Sequence, residues 1–215
     1  MNNITKYFNV VVITSIICGC ISIFIIIVFD LVRKPDNYSY QIYRERLELH
    51  MDGIKDRIVT DIDNYIDSVA PENGLNGIRL FELCDEYNVD VRFVMAQAQV
   101  ESHFGTKGMA SKTNIVWNVK TYDGDTLEDI KRRKAHYKHP DESIEPYLKL
   151  LVNDYLVNGK TEEDMFIEFI NFDNKRYASN HNYENMLLTV YNRINENTNL
   201  KQLLKEYNKY KMILN

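Results

Sequence analysis

The sequence predicts an α+β protein that is predominantly α-helical and is preceded by an N-terminal transmembrane helix. Residues 7–29 contain no charged side chain, and about 20 apolar residues are enough to cross the hydrocarbon core of a bilayer. Along most of the remaining chain, apolar residues recur at spacings of three and four, as they do in amphipathic helices. Residues 113–137 alternate instead, with a turn signal at Asp123-Gly124, which predicts a small β-hairpin lobe.

The N-terminal apolar run is predicted to be an uncleaved membrane anchor. A secretory signal has a shorter apolar region and a small-x-small cleavage site, and this run has neither. Pro35 follows in a short polar stretch, where it ends any continuing helix. The predicted organisation is therefore an anchor over residues 1–32, a juxtamembrane stalk or amphipathic helix over residues 33–70, and a folded domain over residues 71–215.

The second half of the stalk region has apolar side chains at helical spacing. This pattern fits a stalk, a coiled-coil segment or the first helix of the domain, and the sequence leaves all three open. The residues that carry the pattern are Ile54, Ile58, Ile62, Tyr65, Ile66 and Val69.

Composition argues against several classes of function. The net charge is −5 and there is no basic block, so we expect no nucleic-acid partner. The three cysteines form no disulfide framework, because Cys18 and Cys20 lie in the apolar run and Cys84 is alone in a helical pattern. The histidines lack metal-ligand spacing, and His136 and His139 are predicted to be surface residues. We therefore expect no metal and no other cofactor.

Within the domain, periodicity predicts a helix at Ile78–Asn88 and another that begins at Val91 with Asp90 as its N-cap. Thr161 and Asp164 suit the start of a later helix. Further helices are predicted at residues 141–156, 161–172, 183–195 and 200–213.

Glu101 stands near the end of the helix that begins at Val91, on a largely apolar stripe with Gln97 and Ala98. Partial burial and the negative end of the helix dipole both disfavour an ionised carboxylate, so both are expected to raise its pKa. A glycosidase needs such a protonated acid for the leaving-group oxygen. Gly105 is predicted to end the helix in a left-handed conformation. Periodicity alone also fits a glutamate that only reaches solvent.

The segment AQAQVESHFGTKGMASKTNIVWNVKTYDG, residues 96–124, resembles the signature of the glucosaminidase-type peptidoglycan hydrolases. That family includes bacterial autolysins, phage endolysins and the flagellar rod hydrolase. The matching pieces are Ala-Gln-Ala, then Glu-Ser-x-[Trp/Phe]-Gly, then an Asn-hydrophobic-aromatic segment and a Lys-x-x-x-Gly-like turn. Two later segments are also similar to the family's pattern, and their residues are Ser143, Ile144 and Tyr147, then Tyr177, Ala178 and Tyr183.

This resemblance implies a lysozyme-like fold that cleaves the β-1,4 bond after N-acetylglucosamine in peptidoglycan. Glu101 matches the family's general acid. The second catalytic carboxylate is expected on the hairpin lobe, with Glu128 as the first choice and Asp125 and Asp129 as alternatives. Tyr177 matches a tyrosine thought to orient the substrate's acetamido group or a water molecule.

The resemblance also implies a sugar cleft lined partly by aromatic rings, since flat rings pack on the apolar faces of pyranoses. This sequence departs from the family at Phe104, where tryptophan is commoner, and this puts the fine substrate preference in question. The predicted substrate-binding residues are Phe104, Asn114, Trp117, Tyr122 and Tyr183.

Two other functions stay open. A lytic transglycosylase or muramidase shares the lysozyme-like fold and a Glu-Ser acid, although the Gly-Leu-Met-Gln segment typical of lytic transglycosylases is absent. A non-catalytic cell-wall-binding or assembly protein on a decayed hydrolase fold is the other. The expected partners are peptidoglycan strands and a membrane, either a bacterial inner membrane or a phage host's, with the domain facing the cell wall. Positive charges after the apolar run favour the opposite orientation, so the topology stays open.

Overall fold

In a computed structural model of the chain, residues 37–119, 126–132 and 136–214 are described. The described residues divide into two compact units, one with residues 37–50 and Leu214, the other with the described residues between 51 and 213. In the first unit, the described residues 37–50 are helical. The second unit contains Glu101 and the other candidate site residues that are described.

The described ranges are mostly helical. Helix α1 begins in the first unit, and its residues from Met51 onward belong to the second. The helices are α1 (Asn37–Val69), α2 (Gly77–Glu86), α3 (Val91–Ser102), α4 (Ala110–Thr113), α5 (Leu127–Arg132), α6 (Ile144–Leu150) between a 3₁₀ turn at Pro140–Ser143 and a π-helical turn at Leu151–Tyr155, α7 (Glu162–Met165), α8 (Tyr183–Asn197) and α9 (Leu200–Leu214).

Capping residues fix two of the predicted helix starts. Asp90 accepts a hydrogen bond from the Arg92 amide at 2.9 Å at the start of α3. Thr161 and Asp164 form a capping box at the start of α7. Both predicted helix starts are therefore confirmed, and each supplies partners for amides that no helical carbonyl can reach.

Helix α3 is the buried centre of the second unit. Its residues from Phe93 to Ala98 are fully buried, α8 packs along it, and α2 contacts both α3 and α6. A helix that is buried on all sides is held firmly by its neighbours. Glu101 lies just beyond this buried stretch, so its backbone position is fixed by the core.

The second half of α1 belongs to the same core. Ile54, Ile58, Ile62 and Ile66 are all buried, with at most 1% of each residue exposed. Of the three interpretations that the sequence leaves open for this segment, the structure favours a core helix of the domain. The predicted limits of the stalk and the domain stay a prediction.

The predicted β-hairpin lobe is wrong. Where residues 113–137 are described, they contain the end of α4, the helix α5 and loops, and no strand. Across all the described ranges, extended pairing is limited to one isolated bridge between Ile170 and Arg176. The described chain is therefore mostly helical, without the β component of the predicted α+β class.

The alternating pattern in this region has another cause. Val116 and Trp117 are neighbours and both are fully buried in the main core, whereas Ile115 belongs to a separate small cluster. Neighbouring residues of a strand would face opposite sides. Thr126 and Asp129 form a reciprocal capping box, in which the Thr126 amide and hydroxyl donate to Asp129 Oδ2 and the Asp129 amide donates to Thr126 Oγ1. This signal starts α5.

Three predicted boundaries also differ. The helix predicted over residues 161–172 ends at Met165, and the one predicted over residues 141–156 is divided into 3₁₀, α and π turns. Helix α3 ends at Ser102, because His103 already adopts the left-handed conformation at φ 53°. Gly105 also has a positive φ, 83°, but it lies after the helix end.

The predicted membrane anchor, residues 1–32, lies outside the described ranges. Within those ranges, no helix combines the length and the apolar character needed to cross a membrane.

Candidate active site

Glu101 lies half-buried in the last turn of α3, on the lining of a cleft. Its Oε1 accepts a hydrogen bond from the Tyr183 hydroxyl at 2.5 Å, and its Oε2 accepts one from Asn118 Nδ2 at 2.8 Å. Asn118 Nδ2 also donates to the backbone oxygen of Glu101 at 3.1 Å. Each carboxyl oxygen therefore has one fixed donor, which holds the group in a single orientation.

The surroundings of Glu101 change its acidity. Burial raises the pKa of Glu101 above its ordinary value, while the hydrogen bonds from Tyr183 and Asn118 act in the opposite direction. The effect of burial prevails, so a larger fraction of this side chain is protonated near neutral pH than is usual for a glutamate.

Ser102 ties the end of α3 to the loop at Val116. Its Oγ donates to the Val116 carbonyl at 2.6 Å and accepts from the Gly105 amide at 2.8 Å. A Cβ at Gly105 would lie 3.2 Å from Val116 Cγ2, and the backbone there has φ 83°. Both facts favour glycine. The Glu-Ser-x-Phe-Gly segment is thus a rigid support for the carboxyl group.

Ser143 and Tyr147, from the second predicted segment, support the same loop. Ser143 Oγ accepts a hydrogen bond from the Val116 amide at 3.3 Å. The Tyr147 ring stacks on Trp117, with 5.0 Å between centroids and 13° between planes, and its hydroxyl donates to Gln97 Oε1. Segments distant in the sequence therefore pack around the loop that carries Asn118.

Tyr177 and Tyr183 line the cleft beside Glu101. Their ring centroids are 5.7 Å apart, but only the Tyr183 hydroxyl contacts the carboxyl group, since Tyr177 Oη donates to the Trp117 carbonyl at 2.9 Å. Burial raises the pKa of both tyrosines well above the ordinary value. Both hydroxyls therefore stay protonated at neutral pH.

Glu184 holds the segment that carries Tyr177. Arg176 Nη2 donates to both of its carboxyl oxygens, at 2.9 and 2.8 Å, and the Phe169 amide donates to its Oε1 at 3.1 Å. Burial alone would raise the pKa of Glu184, but the hydrogen bonds it accepts and the Arg176 charge outweigh burial and lower it. Glu184 is thus an ionised structural group.

The cleft has a volume of about 1380 Å³, which exceeds the roughly 300–1,000 Å³ of pockets for small molecules. Another part of its lining consists of Met109, Ile130 and Tyr137. An extended polymer fits such a space better than a single small molecule. In the described ranges, no group of three or more histidine, cysteine, aspartate or glutamate residues gathers to hold a metal ion.

The predicted second carboxylate, Glu128, is not brought to Glu101. Its side chain is 79% exposed and pairs within α5 with Lys131 at 3.4 Å. Asp129 is engaged in the cap of α5, and neither residue lines the cleft. Asp125 lies outside the described residues. The catalytic role of Glu128 stays a prediction.

Asp154 is the other carboxylate that lines the cleft within the described ranges. It lies in the π-helical turn after α6 and is half-buried. Sequence analysis did not single it out, because a period of 3.6 does not reveal a π turn, although such turns are frequent at functional sites.

The predicted substrate-binding residues divide into three groups. Tyr183 lines the cleft, whereas the rings of Phe104 and Trp117 are fully buried and support the site from the core. Asn114 Nδ2 donates to the backbone oxygen of Tyr137 at 2.9 Å, and Tyr122 lies outside the described residues. Direct sugar contacts by Phe104, Asn114, Trp117 and Tyr122 stay untested predictions.

Besides Asp154, Asn118 and Tyr137 line the cleft without having been predicted from the sequence. Asn118 directly follows the Asn-hydrophobic-aromatic segment and adopts φ 52°, a conformation that asparagine tolerates better than most residues. Tyr137 is half-buried against Met109 and Ile130, and its amide donates to the Thr113 carbonyl at 2.9 Å. The tolerance of asparagine for positive φ was an available signal for Asn118, whereas nothing local marked Tyr137.

Comparison with known proteins adds to this geometry. The Glucosaminidase family model, described as mannosyl-glycoprotein endo-beta-N-acetylglucosaminidase, matches residues 79–196, which is more than half of the chain. A search of curated proteins and a search of solved structures found no match. The matched range includes Glu101 and the three residues Asn118, Tyr177 and Tyr183.

Proposed function

Since the chain belongs to the glucosaminidase family of peptidoglycan hydrolases, we propose that Glu101 is the general acid that cleaves the β-1,4 bond after N-acetylglucosamine. The observation that carries this proposal is the half-buried carboxyl group on the cleft, held by Tyr183 and Asn118. Burial raises its pKa, and an acid of raised pKa can protonate a leaving-group oxygen at neutral pH.

The hydrogen bonds also leave room for the proton. Tyr183 donates to one carboxyl oxygen and Asn118 to the other, so each oxygen keeps a further lone-pair site. A proton carried there faces the cleft and the glycosidic oxygen of a bound strand. After transfer, the two donors stabilise the carboxylate that remains.

Replacing Glu101 by Gln tests the proposal. The variant keeps the shape of the side chain but carries no acidic proton, and we expect hydrolysis of purified peptidoglycan to fall about 10²–10⁴-fold, the usual contribution of general acid–base catalysis. Glu168→Gln is a matched control, because Glu168 is exposed and does not line the cleft. Full activity of the Glu101 variant would contradict the proposal.

The bond cleaved is identified by mass spectrometry of the products. We expect new reducing ends on N-acetylglucosamine. The description of the family names a glycoprotein, so a high-mannose glycopeptide belongs in the same assay. Cleavage of that glycopeptide without cleavage of peptidoglycan would overturn the assigned substrate.

A lytic transglycosylase is the second candidate, and one observation favours it. In the described residues, neither Glu128 nor Asp129 lines the cleft with Glu101. An enzyme with a single acid can use an internal hydroxyl of the substrate as nucleophile. It would then produce anhydro-muramic ends, which the same mass spectrum distinguishes from reducing ends.

Four carboxylates are candidates for the second catalytic group beside Glu101 in a hydrolytic mechanism. Replacing Asp125, Glu128, Asp129 and Asp154 in turn by the matching amide separates them. Replacing the catalytic partner is expected to abolish most turnover, whereas replacing a solvated charge is expected to leave turnover unchanged.

We propose that the protein is bound to a membrane through residues 1–32, with the hydrolase domain facing the cell wall. Support comes from the charge-free run of residues 7–29. Fractionation of the full chain against a chain without residues 1–36 tests attachment, and protease accessibility in spheroplasts tests orientation. Recovery of the full chain in the soluble fraction, or protection of the domain from protease, would refute the corresponding half of the proposal.

A further inference from the structure

Gln97 is a buried amide directly behind the acid. It precedes Glu101 by one helical turn on the same face of α3, and it is fully buried. Burial of an amide is unfavourable unless its polar groups have partners, and the apolar neighbours Val94 and Ala98 on this stripe offer none from their side chains. The partners of this amide therefore indicate why it is there.

The oxygen of the amide has a clear partner. The Tyr147 hydroxyl donates to Gln97 Oε1, and the Tyr147 ring is itself fixed by stacking on Trp117. This bond determines which way the amide points, because the oxygen must face the donating hydroxyl. The amide nitrogen is thereby directed to the other side.

The nitrogen, Nε2, is a buried donor without a hydrogen-bond partner in the described residues, one helical turn from the carboxyl group that the Tyr183 hydroxyl bonds. Burial raises the pKa of Tyr177 and Tyr183 well above the ordinary value, and the Gln97 amide acts in the opposite direction on both. Tyr177 donates its proton to the Trp117 carbonyl and Tyr183 donates its proton to Glu101 Oε1. What each hydroxyl can offer Gln97 is therefore an oxygen lone pair, which suits an N–H donor.

We propose that Gln97 is a positioning residue that holds the Tyr183 hydroxyl with its proton directed at Glu101. This inference rests on the proposed function, in which Glu101 is the acid. An N–H directed at the Tyr183 oxygen polarises the hydroxyl and makes it a stronger donor to the carboxyl group. It also disfavours rotation of the hydroxyl away from Glu101.

Removal of the amide has a definite sign. A weaker Tyr183 donor stabilises the Glu101 carboxylate less, so the pKa of Glu101 rises further. The alkaline limb of the pH profile of kcat/KM reports loss of the acid's proton, so this limb moves to higher pH. Tyr147, Tyr177 and Tyr183 also act electrostatically with Glu101, and burial raises their pKa values well above the ordinary value, so these hydroxyls keep their protons across that limb.

The test compares pH profiles of the full-length protein on peptidoglycan. Gln97→Met keeps the length of the side chain without its amide, and Tyr183→Phe removes the donor itself. We expect the alkaline limb to move up in both variants and further in Tyr183→Phe. The double variant should move no further than Tyr183→Phe, because Gln97 acts through that hydroxyl.

Gln99→Met is the matched control. Gln99 also lies on α3 and also accepts a tyrosine hydroxyl, that of Tyr65 at 2.9 Å, but it follows Gln97 by two residues and so lies on the opposite side of the helix. The alkaline limb of the pH profile of Gln99→Met should stay at the wild-type position. An unmoved limb in Gln97→Met, or additive shifts in the double variant, would overturn the inference.

Two further measurements test the same inference about Gln97. If Gln97→Met does not fold, Tyr147→Phe releases the amide from the opposite end and should shift the limb in the same direction. Titration of the ¹³C-labelled Glu101 carboxyl group by NMR gives the same comparison without turnover. A wild-type protein that does not hydrolyse peptidoglycan contradicts the proposed function, whereas an active one with an unmoved Gln97→Met titration contradicts the role of Gln97 alone.

Discussion

Two parts of the cleft lining are built in different ways. The first, here the Glu101 side, consists of Glu101, Asn118, Tyr177 and Tyr183 and is backed by the main core. The second, the Ile130 side, consists of Met109, Ile130 and Tyr137 and is backed by a cluster with only two fully buried residues in the described ranges, Ile115 and Ile130.

The difference fits what the proposed function requires of each side. A general acid must be held within a fraction of an ångström of its productive position. On the Glu101 side, hydrogen bonds hold the carboxyl group, and stacked aromatic rings support the residues that make those bonds. A surface that only contacts a long polymer tolerates a thinner support. We therefore expect changes on the Glu101 side to affect both stability and turnover, and changes on the Ile130 side to affect chiefly binding.

The largest effect is expected at Trp117. Its ring is fully buried and stacks on Tyr147, and Nε1 donates to the Val94 carbonyl at 3.0 Å. Trp117→Ala should lower the free energy of unfolding by about 3–5 kcal/mol, as measured by urea denaturation. Trp117→Phe keeps a ring and should lose less. A loss below about 1 kcal/mol for the alanine variant would contradict the close packing of this side.

A smaller effect is expected at Ile130. Ile130→Ala removes one of the two fully buried side chains of this cluster. Because few neighbours surround the resulting cavity, the free energy of unfolding should fall by about 2 kcal/mol, near the lower end of the usual range. We expect KM for peptidoglycan to rise while kcat changes little. Equal losses in kcat for Ile130→Ala and Trp117→Ala would remove the distinction between the two sides.

The capping box at the start of α5 is expected to contribute less to the free energy of unfolding than the Trp117 or Ile130 side chain. Thr126→Ala removes the hydroxyl that bonds Asp129 at 2.6 Å, and a lost N-cap of this kind costs about 1 kcal/mol. Thr126→Ser keeps the hydroxyl and serves as control. Equal stability of the alanine and serine variants in thermal denaturation would show that the cap contributes nothing.

The Glu101 side was predictable from the sequence in good part, and the Ile130 side was not. Glu101 and Tyr183 belong to local patterns whose residues the structure brings together. Asp90 and Thr161 cap helices as predicted, because N-cap chemistry depends on a few adjacent residues. Local signals of this kind survive in the sequence.

The prediction of a β-hairpin lobe was wrong because it relied on the alternation of apolar and polar residues, which indicates a strand only where successive residues face opposite sides. Val116 and Trp117 are both buried in the same core, and Ile115 is buried in a different one. The pattern of apolar and polar residues does not reveal which core each residue enters, because tertiary contacts decide it. For the same reason the sequence could not show that Phe104 is fully buried, or that Asp154 lines the cleft.

The smallest expected effect separates the proposed catalytic carboxylate, Glu101, from a structural one, Glu184. The folded-state pKa of Glu101 is raised, chiefly by burial, so its contribution to stability is present below its unfolded pKa, about 4.3, and is lost as pH rises through the folded value. Glu101→Gln does not titrate, so its unfolding free energy relative to wild type should increase as pH rises from about 4 to about 8.

Glu184 should behave in the opposite way. Although burial opposes it, the Phe169 amide and the Arg176 guanidinium lower the pKa of Glu184 in the folded state. Its stabilising contribution is therefore present above the unfolded pKa and is lost as pH falls through the folded value. Glu184→Gln should lose most stability at neutral pH and least in acid. Parallel pH curves for the two variants would mean that the two carboxylates do not differ in their linkage to folding, and the contrast between the proposed catalytic acid and the structural anion would fail.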